Sequence, residues 1–379
     1  MSLPEPSADA HAASRALERL IREAIRENND WIPFSRYMEL ALYAKDLGYY
    51  AGGSAKLGKD GDFTTAPEIT PLFGGTLALF AAEVFAAQPL RLLEFGAGTG
   101  KLAGDLLQAL VLRGVTVASY QIVELSAELR ARQQLALAHY PQVEWLDAPP
   151  VAFGGLVIAN EVLDAMPVPL LARHAGRWLE RGVTVDDERL AFADRECSQA
   201  LAAQIPEAEQ LPDGYVTEVH IQQAGFMRML ADMLRAGGSG MAVLIDYGFP
   251  AHEYYLPQRA QGTLMCHYRH HAHGDPLYLP GLQDITAHVD FTEMARAGLG
   301  AGLELAAYLS QAGFLLSAGL PGLLQAESPE NPKRWLPIAN AVQKLTSPAE
   351  MGELFKVLLL SHQVDLPKRF RLQDRSHRL

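Results

Sequence analysis

The chain has 379 residues, 49% of them hydrophobic, enough for a large core in one domain with insertions or in two domains. A net charge of −12 disfavours nucleic acid as the main partner, since phosphate binding needs clustered Lys and Arg, but tolerates a basic protein. Two cysteines, Cys197 and Cys266, make no disulfide framework, no apolar run reaches membrane-spanning length and no apolar signal core opens the chain, so the expected location is cytoplasmic.

Residues 1–13 are expected to be disordered, with Ser14 capping a helix whose apolar stripe is Leu17, Leu20, Ile21 and Ile25. A second helix carries Leu40, Ala41 and Tyr43. The loop Gly52 to Ile69 has no clean period and holds Asp62, Thr65 and Glu68; long loops with packed aromatics and acids are often functional. A helix from Pro71 to Ala87 follows. Next, Arg91 to Phe95 reads as a short apolar strand, Gly96-Ala97-Gly98-Thr99-Gly100 as a turn, and Leu102, Leu106, Leu107 and Leu110 as the stripe of an amphipathic helix. Glycine at every second position lets the backbone approach a ligand, and the helix start offers free N–H donors.

That turn reads as a nucleotide-cofactor turn, and its details narrow the cofactor. A dinucleotide turn wants a third glycine where Lys101 stands; a P-loop wants glycine at Phe95 and Ser or Thr at Leu102. Glu94 closes the strand two residues before the first glycine. A carboxylate there suits a cationic ligand better than a phosphate, and S-adenosyl-L-methionine carries an ammonium and a sulfonium with no phosphate. Tyr120 to Val123 is a second strand ending in Glu124, 28 positions beyond Gly96, where an acid can accept from a ribose diol. A third short strand, Val143 to Leu146, ends at Asp147, a candidate acceptor for an adenine amino group.

Leu156 to Ala159 is a buried-type strand that breaks into Asn160-Glu161-Val162-Leu163-Asp164. Ligands of open α/β sheets sit beyond the carboxyl ends of strands, so these polar residues stand where a reaction is expected. If Glu161 opens a helical turn, Glu161 and Asp164 share a face. Residues 168–196 alternate with turns and suggest a β insertion, packed by Trp178 and Phe192, that forms a wall or a homodimer surface. A helix Ala224 to Ala236 and a fifth buried strand, Met241 to Ile245, lead to Asp246-Tyr247-Gly248. The segment 249–302 reads as irregular. It holds His252, His267, His270, His271, His273 and His288, but no Cys pair or His-Glu-x-x-His helix, so no metal is expected. Two late strands, Leu303 to Tyr308 and Phe355 to Ser361, precede a basic tail, 366–379, expected to be exposed.

This order of elements resembles class I S-adenosylmethionine-dependent methyltransferases. More narrowly the chain is similar to the MidA family, relatives of the mitochondrial protein arginine methyltransferase of complex I assembly. The matching stretches are Gly61 to Ile69, Glu94 to Gly100, Tyr120 to Glu124, Ala159 to Ala165, Asp246 to Gly248, Gly262 to Leu264 and Gln283 to Phe291. Met166 stands where the family pattern has Leu, a volume-conserving change. The resemblance implies a doubly wound, Rossmann-like α/β sheet of seven strands at 89–365, an N-terminal helical or lid region at 14–88, S-adenosyl-L-methionine as methyl donor and S-adenosyl-L-homocysteine as product. It implies a protein arginine as acceptor, in an NADH dehydrogenase subunit for the eukaryotic member, and the mitochondrial matrix if the source is eukaryotic. The expected cofactor residues are Glu94, Gly96, Ala97, Gly98, Gly100, Glu124, Leu125, Asp147, Asn160 and Thr65. Glu161, Asp164 and Asn160 are the expected catalytic residues; Asp62, Glu68, Asp246 and Tyr247 are expected to hold the acceptor. Two rivals are an assembly factor that binds S-adenosylmethionine without turnover and an NAD-dependent oxidoreductase.

Overall fold

A computed structural model describes residues 3–52, 65–327 and 331–379. The chain divides into two compact units that interleave in sequence. One comprises Met1–Phe63, Asp164–Gln223 and Phe249–Asp290; the other comprises Thr64–Leu163, Ala224–Gly248 and Phe291–Leu379. A region 14–88 followed by a domain 89–365 is therefore not how the contacts group, because the helix after Thr70 packs with the second unit and residues 164–223 with the first.

The second unit is built on seven strands and their crossover helices. In chain order these are α1 (Pro71–Val84), β1 (Leu90–Phe95), α2 (Lys101–Leu112), β2 (Val117–Val123), α3 (Ala127–Ala136), β3 (Val143–Leu146), β4 (Gly155–Asn160), α4 (Ile221–Ala236), β5 (Gly240–Phe249), β6 (Glu304–Ser310) and β7 (Phe355–His362). The strands pair in the order β3-β2-β1-β4-β5-β7-β6. Strands β1 to β5 are parallel, and β7 runs antiparallel to both β5 and β6. This path has the seven strands and the doubly wound order that the family resemblance implies.

Parallel neighbours need long crossovers, which is why a helix stands between β1 and β2 and another between β2 and β3. Such strands are covered on both faces and read as unbroken apolar runs. Leu156 to Ala159 of β4 and Met241 to Ile245 of β5 are at most 2% exposed. Chain order reverses at β1, which pairs β2 on one side and β4 on the other. The carboxyl ends of β1 and β4 therefore lie side by side, Phe95 opposite Ala159, and a crevice opens at such a reversal.

The first unit contains an antiparallel sheet in the order Ile32–Pro33, Arg177–Asp186, Leu170–His174, Val216–Glu218, with Arg189–Glu196 also paired to Arg177–Asp186. The β insertion is thus present, although Phe192 is 40% exposed under the Arg181 guanidinium and does not fill a core. The segment expected to be irregular is not. Met265–Tyr268, His271–His273 and Asp284–Thr286 form a three-stranded antiparallel sheet, and Phe291–Gly300 is a helix.

Both ends of the chain correct the sequence expectation. The first helix starts at Ala8 rather than Ser14, with Ser7 accepting from the Ala10 N–H; Ser14 is buried on the same stripe as Leu17, Ile21 and Ile25. Its early start has a local cause in the cap, Asp9 in the first turn and the good helix formers that follow. At the other end, Phe370 is fully buried and meets Phe80 and Phe314 edge-on or tilted at 5.3 and 6.0 Å, so the tail is anchored rather than exposed. Burial of one aromatic ring outweighs the basic character of its neighbours, and Arg369 keeps its guanidinium at the surface by pairing with Glu83.

Candidate functional site

At the end of β1 the chain turns through three left-handed glycines, Gly96 (φ 63°), Gly98 (φ 54°) and Gly100 (φ 83°), before entering α2. This alternation is what the sequence pattern requires, since a side chain at each position would be strained. The Gly96 N–H bonds to the Val123 carbonyl and the Gly100 N–H to the Ala97 carbonyl, which stitches the turn to the end of β2. Gly96 is exposed whereas Ala97 is buried. Lys101, which opens α2, pairs its ammonium with Asp105 at 2.6 Å, so its charge is spent within the helix.

Glu94 does not face outward. It is 2% exposed, and the Tyr120 hydroxyl donates to its Oε2 at 2.6 Å. Burial pushes its carboxyl up to about 7, against the Tyr120 hydrogen bond, with the nearby Glu124 charge adding to the rise. Glu94 is thus buried at the end of β1, with its carboxyl held by Tyr120 of β2.

Glu124 stands beyond the end of β2, half-buried. Its Oε1 accepts from the Ser126 N–H at 2.9 Å and its Oε2 from Gln133 Nε2 at 2.9 Å. Burial raises its carboxyl, and these donors pull it back. Leu125 beside it is 80% exposed. Asp147, after β3, has its side chain 91% exposed and pairs with Arg130.

The loop after β4 lies against the glycine turn: a Cβ built on Gly96 would meet Val162 Cγ2 at 3.3 Å. Asn160 pairs with Ile245 of β5, its Nδ2 donates to Glu161 Oε1 at 3.1 Å, and its buried Oδ1 has no hydrogen-bond partner among the described residues. Glu161 adopts φ 54°, a left-handed conformation unusual for a side chain of its size, with its N–H on the Ile245 carbonyl. No helix begins there, so the condition for Glu161 and Asp164 to share a helical face is not met. Asp164 belongs to the first unit, where it is 5% exposed and its carbonyl accepts from the Ala287 N–H.

Asp246, expected to hold the acceptor, is 1% exposed; its Oδ2 accepts from the Leu163 N–H and its Oδ1 from the Tyr247 N–H, both at 2.9 Å. It thereby fastens the loop that carries Glu161. Tyr247 packs edge-on against Phe355. Glu68 Oε1 accepts from Thr99 Oγ1 at 2.5 Å, which ties the short helix Ala66–Ile69 to the glycine turn. Thr65 precedes that helix, its carbonyl accepting from the Glu68 N–H. Asp62 lies outside the described residues.

The second unit therefore gathers the glycine turn, Glu68, Glu124, Asn160, Glu161 and Asp246 along one edge of its sheet. Three contributors escaped the sequence reading: Thr99, Tyr120 and Gln133. Gln133 is the buried residue of α3. In sequence it stands in the polar run Arg132-Gln133-Gln134, which reads as a solvent face, so no local signal distinguishes it. A glycine turn open at Gly96, a carboxylate at the end of the next strand, an Asn160 Oδ1 without a partner among the described residues and a lysine already paired within its helix together fit an adenosyl ligand without phosphate.

Among the described residues no group of three or more His, Cys, Asp or Glu side chains is arranged to hold a metal, and no helix is long and apolar enough to cross a membrane.

Residues 76–309 match a family model described as "Putative S-adenosyl-L-methionine-dependent methyltransferase". A crystal structure of a Burkholderia thailandensis protein bound to S-adenosyl-homocysteine is 52% identical to this chain, with 100% of each chain covered and a TM-score of 0.94. The mitochondrial protein arginine methyltransferase NDUFAF7 homolog of Drosophila melanogaster is 28% identical over 94% of this chain and 87% of its own. The corresponding protein of Bos taurus is 28% identical over 91% of this chain and 82% of its own.

Proposed function

This chain belongs to the S-adenosyl-L-methionine-dependent methyltransferase family, and from that premise we propose that it methylates an arginine side chain of a protein. The observation that supports this reading is the Asn160-Glu161 loop, whose Val162 lies against Gly96 of the glycine turn and whose Glu161 carboxylate accepts from Asn160 Nδ2. Its support from relatives is the protein arginine methyltransferase activity named for the Drosophila and bovine proteins. By the family resemblance, the acceptor is a subunit of a respiratory NADH dehydrogenase.

S-adenosylmethionine supplies an electrophilic methyl carbon on a sulfonium, which leaves as a neutral thioether. In this reading the glycine turn receives the donor, the Glu124 carboxylate accepts from its ribose hydroxyls, and the Asn160 Oδ1 is open to a donor group from either reactant. Arginine is a cation with a pKa above about 12 and presents a planar fork of N–H donors. Glu161 would accept two of these, fixing the guanidinium plane and concentrating electron density on the nitrogen that faces the methyl carbon. As the N–C bond forms, that nitrogen loses a proton to the carboxylate and thence to water. Most of the rate enhancement comes from this positioning, since an in-line displacement needs alignment more than acid–base work. Asp246 contributes by holding the Leu163 and Tyr247 N–H groups and so the loop.

The experiment is transfer of tritiated methyl from labelled donor into protein extract, with mass spectrometry of the labelled band. Methylarginine is the expected product, and label on another residue type would overturn the arginine assignment. Glu161→Gln should cut turnover at least a hundredfold while leaving S-adenosylhomocysteine affinity within threefold; equal losses in both would end its role as the guanidinium clamp.

A further inference from the structure

The Gln133 amide joins three successive parts of the sheet edge. Its Nε2 donates to the Gly98 carbonyl and to Glu124 Oε2, both at 2.9 Å, and its Oε1 accepts from Trp145 Nε1 of β3 at 3.0 Å. The side chain is fully buried, and a Cβ on Gly100 would lie 3.4 Å from its Cγ. Its orientation is fixed by chemistry: a carbonyl and a carboxylate only accept and an indole N–H only donates, so the amide has a single satisfying placement. A glutamate would set a second negative charge against Glu124, and an apolar residue would leave the Gly98 carbonyl and Trp145 N–H without these partners.

We propose that Gln133 is a positioning residue for the nucleoside half of the methyl donor. It locks the Glu124 carboxylate in the orientation that receives the ribose hydroxyls and pins the Gly98 peptide in the same stroke. The proposal rests on the reading of Glu124 as the ribose acceptor and deepens it: ribose recognition is built jointly by β2 and α3, not by the strand-end acid alone. Trp145 is the third anchor, holding the amide from the far side, so discrimination for the ribose depends on a residue of β3 that needs no ligand contact of its own.

The test is a cycle of protein variant against ligand variant. Calorimetric affinities are measured on the full chain for S-adenosylhomocysteine and for its 2′-deoxy analogue, using wild type, Gln133→Met and Trp145→Phe. Wild type should bind the deoxy analogue about tenfold more weakly, as expected for loss of one hydrogen bond to a charged acceptor. Gln133→Met should weaken S-adenosylhomocysteine about tenfold and discriminate between the two ligands by less than threefold. Trp145→Phe keeps an aromatic ring in place and should narrow discrimination to an intermediate value, which serves as the test if Gln133→Met does not fold. Full wild-type discrimination in both variants, or in Trp145→Phe alone if Gln133→Met does not fold, would overturn the proposal, because a glutamine that merely fills the core lowers affinity for both ligands equally. Absence of discrimination in wild type would instead refute the Glu124 ribose reading, and this proposal with it.

Discussion

Replacing Glu94 by glutamine tests whether the acid before the glycine turn is a support or a ligand contact. Glu94 is 2% exposed, and burial lifts its carboxyl to about 7 despite the Tyr120 hydrogen bond. A carboxyl whose folded pKa exceeds its unfolded one binds a proton more tightly in the folded state. Its contribution is therefore complete below the unfolded value and is lost as pH rises through about 7. At 1.36 kcal/mol per pKa unit, the loss accumulated between pH 5 and pH 8 comes to about 2–3 kcal/mol. A neutral amide in place of the carboxyl does not titrate, so Glu94→Gln should gain on wild type by that amount over this range. Urea unfolding of both proteins at pH 5, 6, 7 and 8 measures it as a growing gap in midpoint. Parallel pH profiles would refute the buried, raised carboxyl. At pH 6, where Glu94 is mostly protonated, the variant should also bind S-adenosylhomocysteine within threefold of wild type; a tenfold loss would mean that Glu94 touches the ligand as an anion.

Gly98→Val should abolish calorimetric binding of S-adenosylhomocysteine, because a β-branched residue at φ 54° is strained and places atoms over the turn; unchanged affinity would remove the turn from the site. Asp246→Asn keeps one acceptor and turns an N–H donor toward a backbone N–H, so it should cost about 1–3 kcal/mol in thermal unfolding and lower turnover more than donor affinity. Phe370→Ala removes a fully buried ring between Phe80 and Phe314 and should destabilise the protein by about 3–5 kcal/mol, measured as a fall in urea midpoint; a change under about 1 kcal/mol would return the tail to the surface.

Some of this protein follows from its sequence without help. Unbroken apolar runs such as Leu156 to Ala159 and Met241 to Ile245 have to be covered on both faces, which implies parallel strands with crossover helices between them. Glycine at 96, 98 and 100 announces a backbone that no other residue adopts easily, and all three are left-handed. These signals are local: a period, a run or a conformational demand carried by a few adjacent residues. The role of a buried polar side chain is not local. Nothing in the sequence around Glu94 shows that Tyr120, 26 residues later, donates to its carboxyl. Nor does the sequence around Asp246 show that its two oxygens accept from the Leu163 and Tyr247 N–H groups. Gln133 reads as solvent-facing until the strand order brings Gly98, Glu124 and Trp145 around it. Sequence determined which backbone forms the site, because backbone conformation is a short-range property. Tertiary structure decided which polar groups are buried and which partners brace them, because each hydrogen-bond partner is set by pairing between strands far apart in the chain.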